Sequence, residues 1–185
     1  MLLKIGMVVV GLMVVGVVGV LIAAAAKPNT FRVVRTAELK APPAKIFALM
    51  NDFRRFGAWS PYEKRDPEMK RSYSGPESGK GAIYAWDGNK NVGSGRMEIL
   101  ESTPSSKIVI KLDFSRPFEA HNLVEFTLEP HDASTTVGWA MEGPVPFIGK
   151  IMHVFMNMDR MVGGDFETGL ANLKEIAEQQ SSASN

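Results

Sequence analysis

Residues 107–142 read KIVIKLDFSRPFEAHNLVEFTLEPHDASTTVGWAME, and their alternating pattern is the strongest indication of the fold. Apolar residues occupy alternate positions from Ile108 to Phe114, and most alternate positions from Phe118 to Leu128. Successive side chains of a strand point to opposite faces of its sheet, so each run predicts a strand with one buried face. The connections between the runs are short and polar, which predicts an antiparallel meander.

Similar short runs extend upstream, divided by glycine, proline and asparagine. Strands are predicted at 31–40, 71–74, 82–86, 95–101, 107–114, 118–129 and 135–142. Within this pattern, Gly93-Ser94-Gly95 predicts a bulge or a close approach of another backbone. Between the first two strands, Pro42-Pro43 favours the start of a helix that ends at Asn51-Asp52, and a second short helix is predicted at 53–58.

Downstream of the meander, apolar residues recur every three or four positions from Phe147 to Ile176, which predicts one long helix. Each residue of the pair Gly163-Gly164 costs about 1 kcal/mol relative to alanine, so the pair predicts a kink or a close backbone approach. Residues 179–185 are polar and predicted to be a disordered tail. The predicted fold class is α+β, with a curved antiparallel sheet wrapped around the long C-terminal helix and a cavity between them.

The N-terminus has a different character. From Ile5 to Ala26 every residue is Ile, Gly, Met, Val, Leu or Ala. In a helix this run would extend roughly 30 Å, the thickness of a bilayer's hydrocarbon core, so it predicts one transmembrane helix. Residues 1–27 are therefore predicted to be a membrane anchor or a signal segment. Ala23 to Ala26 could allow cleavage, but the run exceeds a signal-peptide core of about 7–15 residues, which favours an uncleaved anchor.

Charges flanking this run leave the orientation open. Lys27, Arg32, Arg35 and Lys40 follow it and, by the positive-inside rule, would place the domain in the cytoplasm. The short tail with Lys4 and the signal-like core instead favour the other side. We predict a single-pass protein of the cytoplasmic membrane with its domain on the outer face.

The composition excludes several functional classes. The chain of 185 residues has 21 Lys and Arg against 20 Asp and Glu, which argues against a nucleic-acid partner. It has no cysteine, so disulfides, thiolate catalysis and cysteine-ligated metals are excluded. The histidines His121, His131 and His153 lack the spacing of a metal-binding motif. No metal and no cofactor are predicted.

Few polar residues are candidates for chemistry. Asp159, Asp165 and Glu167 lie on the predicted long helix, and Asp165 could act as a general base if it faced the cavity. A surface or capping role is the simpler interpretation of all three, and no catalytic residue is assigned. Asn122 interrupts an inward apolar face, so its amide needs either a partner within the protein or a ligand.

Aromatic and methionine side chains are the candidate ligand contacts, since such side chains suit an adaptable apolar ligand. A solid core is the alternative interpretation of these residues. The predicted ligand-binding set comprises Trp59, Tyr84, Trp86, Phe114, Asn122, Trp139, Met141, Met152, Phe155, Met158 and Phe166.

Several stretches of the chain are similar to a known family. They are Ala41-Pro42-Pro43 with Ile46-Phe47, Trp59-Ser60-Pro61, Gly81 to Trp86, Val92 to Gly95, Pro117-Phe118, Thr136 to Trp139, and Asp165 to Lys174. Together they resemble the START-like helix-grip superfamily, the SRPBCC group that includes proteins labelled polyketide cyclase/dehydrase. The resemblance covers nearly all of residues 28–178, which are assigned as the helix-grip domain. It implies an apolar cavity between the sheet and the long helix.

The family holds binding modules, transfer proteins and enzymes, so the fold alone leaves the activity open. We expect a membrane-anchored domain that binds a hydrophobic small molecule or lipid, with the membrane contacted through residues 5–26. One alternative is a cyclase or dehydrase acting on an apolar substrate in the same cavity. Another is an interaction module that uses the outside of the sheet, or the helix pair at Phe47 and Trp59.

Overall fold

A computed structural model describes the backbone of residues 2–182 and the side chains of residues 6–7 and 9–179. The first element is helix α1 (Leu2–Ala25), which is formed by the apolar N-terminal run. The sequence predicted a membrane-spanning helix at residues 5–26. Among the described residues, no helix is both long and apolar enough to cross a membrane.

The remaining elements follow the predicted order of strand, short helices, meander and C-terminal helix. They are β1 (Thr30–Leu39), α2 (Pro43–Met50), α3 (Phe56–Trp59), β2 (Lys70–Ser74), β3 (Ile83–Asp87), β4 (Ser94–Thr103), β5 (Lys107–Arg116), β6 (Ala120–Pro130), β7 (Thr135–Pro144), α4 (Phe147–Phe155) and α5 (Met158–Ser182). Short 3-10 helices cover Phe53–Arg55 and Pro61–Lys64 on either side of α3. The predicted α+β class is confirmed.

The seven strands form one antiparallel sheet in the order β1-β7-β6-β5-β4-β3-β2. The predicted meander is confirmed, and the first strand returns to pair with the last, so that Arg35 lies opposite Trp139. The predicted irregularity near Gly95 is also confirmed by a register shift between Ser94 and Gly95. A side chain at Gly95 would contact the Asp113 carbonyl oxygen, so only glycine permits this approach.

The core lies between the concave face of the sheet and α5, as a helix-grip arrangement requires. Phe166, Leu170 and Leu173 project from α5 at helical spacing and are buried. Helices α2 and α3 pack against one end of α5 and close that end of the core. Toward the first turns of α5, residues of α4 and α5 line an apolar cavity beside the sheet.

The prediction of one continuous C-terminal helix is wrong, and of the two alternatives predicted for Gly163-Gly164, the kink is not found. The helix breaks instead between Phe155 and Met158, where the backbone at Met156 is extended. The Asn157 side-chain oxygen then accepts a hydrogen bond of 3.0 Å from the Arg160 amide and caps α5. Helix α5 runs without interruption through both glycines.

Gly163 has a different role, which is to admit the side chain of Arg35 from β1. A side chain at position 163 would overlap the Arg35 guanidinium. That guanidinium donates hydrogen bonds to both carboxylate oxygens of Asp159, each 3.0 Å, and to Glu167 Oε1 at 2.6 Å. Arg35 therefore ties the first turns of α5 to the edge strand of the sheet.

Two further boundaries differ from prediction. Strand β6 begins at Ala120 rather than Phe118, and the Phe118 side chain is 62% exposed. Helix α5 extends to Ser182, so residues 179–182, predicted to be disordered, are helical. The rest of the predicted disordered tail, residues 183–185, lies outside the described residues.

Candidate ligand-binding cavity

A cavity of about 490 Å³ lies between the inner face of the sheet and helices α4 and α5. This volume falls in the range of about 300–1,000 Å³ that holds small-molecule ligands. Strands β3 to β7 form its floor, and the first turns of α5 form its roof. Apolar and aromatic side chains dominate the lining, so a bound molecule would be held mainly by removal of apolar surface from water.

Nine of the eleven side chains in the predicted ligand-binding set line this cavity. They are Tyr84, Trp86, Phe114, Asn122, Trp139, Met141, Met152, Met158 and Phe166. The contact of these nine side chains with a ligand stays a prediction.

The other two members, Trp59 and Phe155, lie elsewhere. Trp59 is buried among other rings, and its indole N–H donates to the Leu49 carbonyl oxygen at 3.1 Å. It therefore belongs to the solid core rather than to the cavity wall. Phe155, the last residue of α4, is 72% exposed and is not part of the cavity lining. Its apolar spacing predicts a buried position, and that prediction is wrong.

Asn122 on β6 supplies an unpaired amide in the apolar lining. The residue is buried on the cavity side and lies against Gly143 of the neighbouring strand, where any side chain would overlap the Asn122 amide oxygen. Its amide has no hydrogen-bond partner among the described residues. Of the two alternatives for this amide, a partner within the protein is not found among the described residues. The amide faces the cavity, so it is a position where a ligand could form a hydrogen bond.

The ring of Trp139 on β7 packs against the ring of Phe166 on α5. Their rings are parallel and 4.1 Å apart between centroids. The indole nitrogen of Trp139 is buried and is without a hydrogen-bond partner in the described part of the chain. The rings of Phe126 and Trp59 lie 5.1 and 5.5 Å from the indole, so its surroundings are aromatic.

A charged network closes the end of the cavity beside β3. Tyr84 donates a hydrogen bond of 2.5 Å to Glu63, and Arg71 donates a second of 2.7 Å to the other oxygen of the same carboxylate. Burial, followed by the hydrogen bond to Glu63, raises the pKa of Tyr84 above its ordinary value. Tyr84 is therefore a protonated donor at neutral pH, already committed to Glu63.

A second ion pair lies where Pro61–Lys64 meets α5. Arg65 forms a short ion pair with Asp165, and both residues line the cavity. Tyr62 lies beside them, and burial, followed by the negative charge of Asp165, raises its pKa. Asp165 is thus the one predicted candidate acid that reaches the cavity, since Asp159 and Glu167 turn outward to Arg35. Its charge is balanced by Arg65.

The histidines have separate environments. His121 is exposed, and its hydrogen bond to Asp113 raises its pKa. His131 bonds to the Thr136 hydroxyl in the β6–β7 turn. His153 on α4 lines the cavity, and its pKa is lowered by burial and then by the positive charge of Lys27. Across the described residues, no group of three or more His, Cys, Asp or Glu side chains could hold a metal ion.

Sequence reasoning missed several wall residues, among them Tyr62, Glu63 and Ile148. Tyr62 and Glu63 lie in the 3-10 helix that starts at Pro61, beyond the short helix that the sequence predicts at 53–58. Proline at the first position of a new helical turn was the available signal.

An antiparallel sheet wrapped around a C-terminal helix, with an apolar cavity between them, defines a helix-grip domain. Residues 30–178 match the model of the family described as "Polyketide cyclase / dehydrase and lipid transport". The chain belongs to this family. No curated protein matches the chain in sequence.

Solved structures share this fold at low sequence identity. Protein CV1439 from Chromobacterium violaceum is 16% identical, with a TM-score of 0.55 over 82% of this chain and 99% of that chain. The di-domain ARO/CYC StfQ from the steffimycin biosynthetic pathway is 12% identical, with a TM-score of 0.63 over 83% of this chain and 52% of that one. Major latex-like protein 151 from Panax ginseng is 8% identical, with a TM-score of 0.56 over 81% and 99% of the two chains. At these identities the likeness concerns the fold alone.

Proposed function

We propose that the chain binds a hydrophobic small molecule or lipid in the cavity between the sheet and α5. The observation that carries this proposal is the apolar cavity of about 490 Å³ with the unpaired Asn122 amide in its wall. A solid core would contain neither the space nor the amide. The description of the family, which includes lipid transport, agrees with such a ligand.

The charges in the wall favour a neutral ligand with an apolar body. Arg65 is paired with Asp165, and Arg71 is paired with Glu63, so the charge of each guanidinium is already balanced by a carboxylate of the protein. Asn122 can accept or donate a hydrogen bond and suits a carbonyl, hydroxyl or ether oxygen. Binding would combine apolar burial, at about 25 cal/mol per Å², with one such hydrogen bond.

Native mass spectrometry of the full chain after mild detergent extraction tests for a copurified ligand, and N-phenylnaphthylamine fluorescence tests for an open apolar site. The matched variants are Val124→Phe and Val109→Phe. Val124 lines the cavity, whereas Val109 lies on the opposite face of the adjacent strand β5. The first variant adds a ring inside the cavity and the second adds the same ring outside it.

We expect the wild-type chain and Val109→Phe to bind the probe, and Val124→Phe to lose most binding while it keeps its thermal unfolding temperature. A wild-type chain that carries no ligand and binds no probe would contradict the proposal. Equal binding by the two variants would also contradict it, since the probe would then lie outside the cavity.

A cyclase or dehydrase that acts on an apolar substrate is the second candidate function. The observation that favours it is the adjacency of Tyr62 and Asp165 in the cavity wall, because a phenol and a carboxylate can move protons. Incubation with a linear polyketone thioester, followed by NMR of the products, tests it. Cyclised product from the wild-type chain, lost in Asp165→Asn but kept in Asp159→Asn, would support catalysis.

We also propose that residues 5–26 hold the domain at the cytoplasmic membrane, with the domain on the outer face. The support is the composition of this run together with the exposure of Val10, Leu12 and Ile22 on α1. Membrane flotation and protease accessibility in intact cells test attachment and orientation separately. Recovery in the unfloated fraction would contradict attachment, and protection from external protease would contradict the orientation.

A further inference from the structure

The mouth of the cavity is surrounded by apolar side chains that are exposed to solvent. We call these residues the rim, because each of them both lines the cavity and is exposed on the surface. The rim consists of Phe118, Ile148, Met152, Met156 and Met161. Large apolar side chains concentrated at one opening indicate an interaction surface.

Helix α4, which carries part of the rim, buries a charged residue and exposes apolar residues. Its one buried residue is Lys150, whose ammonium group donates a hydrogen bond of 2.6 Å to the Asn29 side chain. Phe147 and Phe155 are 51% and 72% exposed on the same helix. A surface helix in water normally turns its apolar residues inward and its charges outward. A helix with a buried lysine and outward phenylalanines is suited to an apolar exterior.

The rim is continuous with the apolar surface of α1. Helix α1 packs against α4, and Ala24 near its end is fully buried. Lys27, just beyond α1, is close enough to His153 at the cavity mouth to lower the pKa of that histidine. The exposed apolar side chains of α1 and those of the rim therefore belong to one surface.

We propose that the rim and the outer side of α4 lie against a lipid bilayer, so that the cavity opens directly toward lipid. A bilayer covers α1, α4 and the rim together, and it is also the phase in which apolar ligands accumulate. Two exposed cations, Lys27 and Arg160, flank the rim and would meet anionic headgroups. This inference rests on the proposed function, because it describes how the apolar ligand reaches the same cavity.

Lipid-quenching measurements on the full chain test this contact. The chain has no cysteine, so single substitutions Phe118→Cys, Phe155→Cys and Leu100→Cys each accept one environment-sensitive fluorophore. Leu100 is the matched control, because it is an exposed apolar residue on β4 outside the cavity lining. The labelled chains are reconstituted in vesicles of phosphatidylcholine and phosphatidylglycerol that contain spin-labelled lipids.

We expect strong quenching at positions 118 and 155 and little at 100, since an interfacial helix lies about 5–10 Å into the boundary of headgroups and acyl chains. Quenching at 118 and 155 no greater than at 100 would overturn the proposal. Protection of these labels that grows with protein concentration, without lipid quenching, would assign the surface to a second copy and would also overturn it.

Ligand transfer separates this inference from the proposed function. In the double variant Phe147→Asp with Phe155→Asp, both changes are at exposed positions, so folding and probe binding in detergent should be unaffected. Uptake of a fluorescent lipid from the same vesicles should be several-fold slower. Unchanged uptake would refute the bilayer contact and leave cavity binding intact, whereas loss of probe binding in the wild-type chain would refute the proposed function itself.

Discussion

The indole ring of Trp139 on β7 lies parallel to the phenyl ring of Phe166 on α5, with 4.1 Å between their centroids and 10° between their planes. Gly169 makes this stack possible, because a Cβ atom there would lie 2.6 Å from Cζ3 of Trp139. The position of one glycine on α5 therefore determines how closely the helix approaches the sheet beside the cavity.

Replacing Gly169 by alanine should lower the free energy of unfolding by about 1–3 kcal/mol, because the added methyl overpacks the Trp139 ring. Gly164→Ala is the matched control in the same helix, since nothing lies within 4 Å of its added Cβ. This control should stabilise the protein by about 0.4–1 kcal/mol through the unfolded state. Urea unfolding of both variants measures the difference, and equal effects would contradict the close approach.

Replacing Asn122 by leucine should separate binding from stability. The change removes an amide that forms no hydrogen bond within the described residues and puts an apolar side chain in an apolar wall, so the free energy of unfolding should stay equal or rise. Affinity for an apolar ligand that carries a carbonyl or hydroxyl should fall about 3–10-fold, the equivalent of one hydrogen bond of about 0.5–1.5 kcal/mol. His121→Leu, on the opposite face of β6, should leave affinity unchanged. A marked loss of stability in Asn122→Leu would show that the amide has a structural role.

Replacing Glu63 by leucine should destabilise the protein by about 1–3 kcal/mol, because it leaves the Tyr84 hydroxyl and the Arg71 guanidinium without their shared acceptor. Tyr84→Phe is the milder comparison, since Glu63 then keeps its ion pair with Arg71. We expect thermal unfolding to rank the variants in that order. The reverse order would show that the phenol, rather than the carboxylate, organises this end of the cavity.

Lowering the pH should show, in the free energy of unfolding, that the pKa of His153 is lowered in the folded chain. Burial and Lys27 lower its pKa, so below pH 6.5 the unfolded chain binds this proton more readily than the folded chain does. The free energy of unfolding should therefore fall as the pH drops, and His153→Gln should make that fall shallower. His121 has a raised pKa and stabilises the folded chain at low pH, so His121→Gln should make the fall steeper. Urea unfolding between pH 5 and pH 8 measures both slopes, and changes of the same sign would contradict these assignments.

Sequence reasoning located the sheet well, because alternation along β5, β6 and β7 is enforced by burial of one face. It also placed Asn122 and Trp139 on the cavity side. Sequence reasoning failed at the break between α4 and α5. The helical spacing of apolar residues continues from Phe155 to Met158, although the helix itself does not. The cap provided by Asn157 was the signal for a new helix.

The wrong predictions at Phe155 and Gly163 have the same cause, because a local sequence pattern does not show what surrounds a residue in the fold. A hydrophobic pattern shows which residues prefer to leave water, but it does not show whether their apolar surroundings are the protein's own interior. Phe155 is therefore assigned inward by its spacing and found outward. Gly163 depends on Arg35, which is remote in sequence, and a local pattern contains no information about such a partner.

The ion pairs that Arg35 forms with Asp159 and Glu167 affect the kinetics of ligand exchange. They fix the roof of the cavity to the edge of the sheet, whereas α4 is joined through extended segments at Pro146 and Met156. Displacement of α4, with α1 that packs against it, would widen the mouth of the cavity while the sheet and α5 stay assembled. The rate of ligand exchange should therefore be independent of global unfolding. A stabilised variant should release its ligand no more slowly than the original chain.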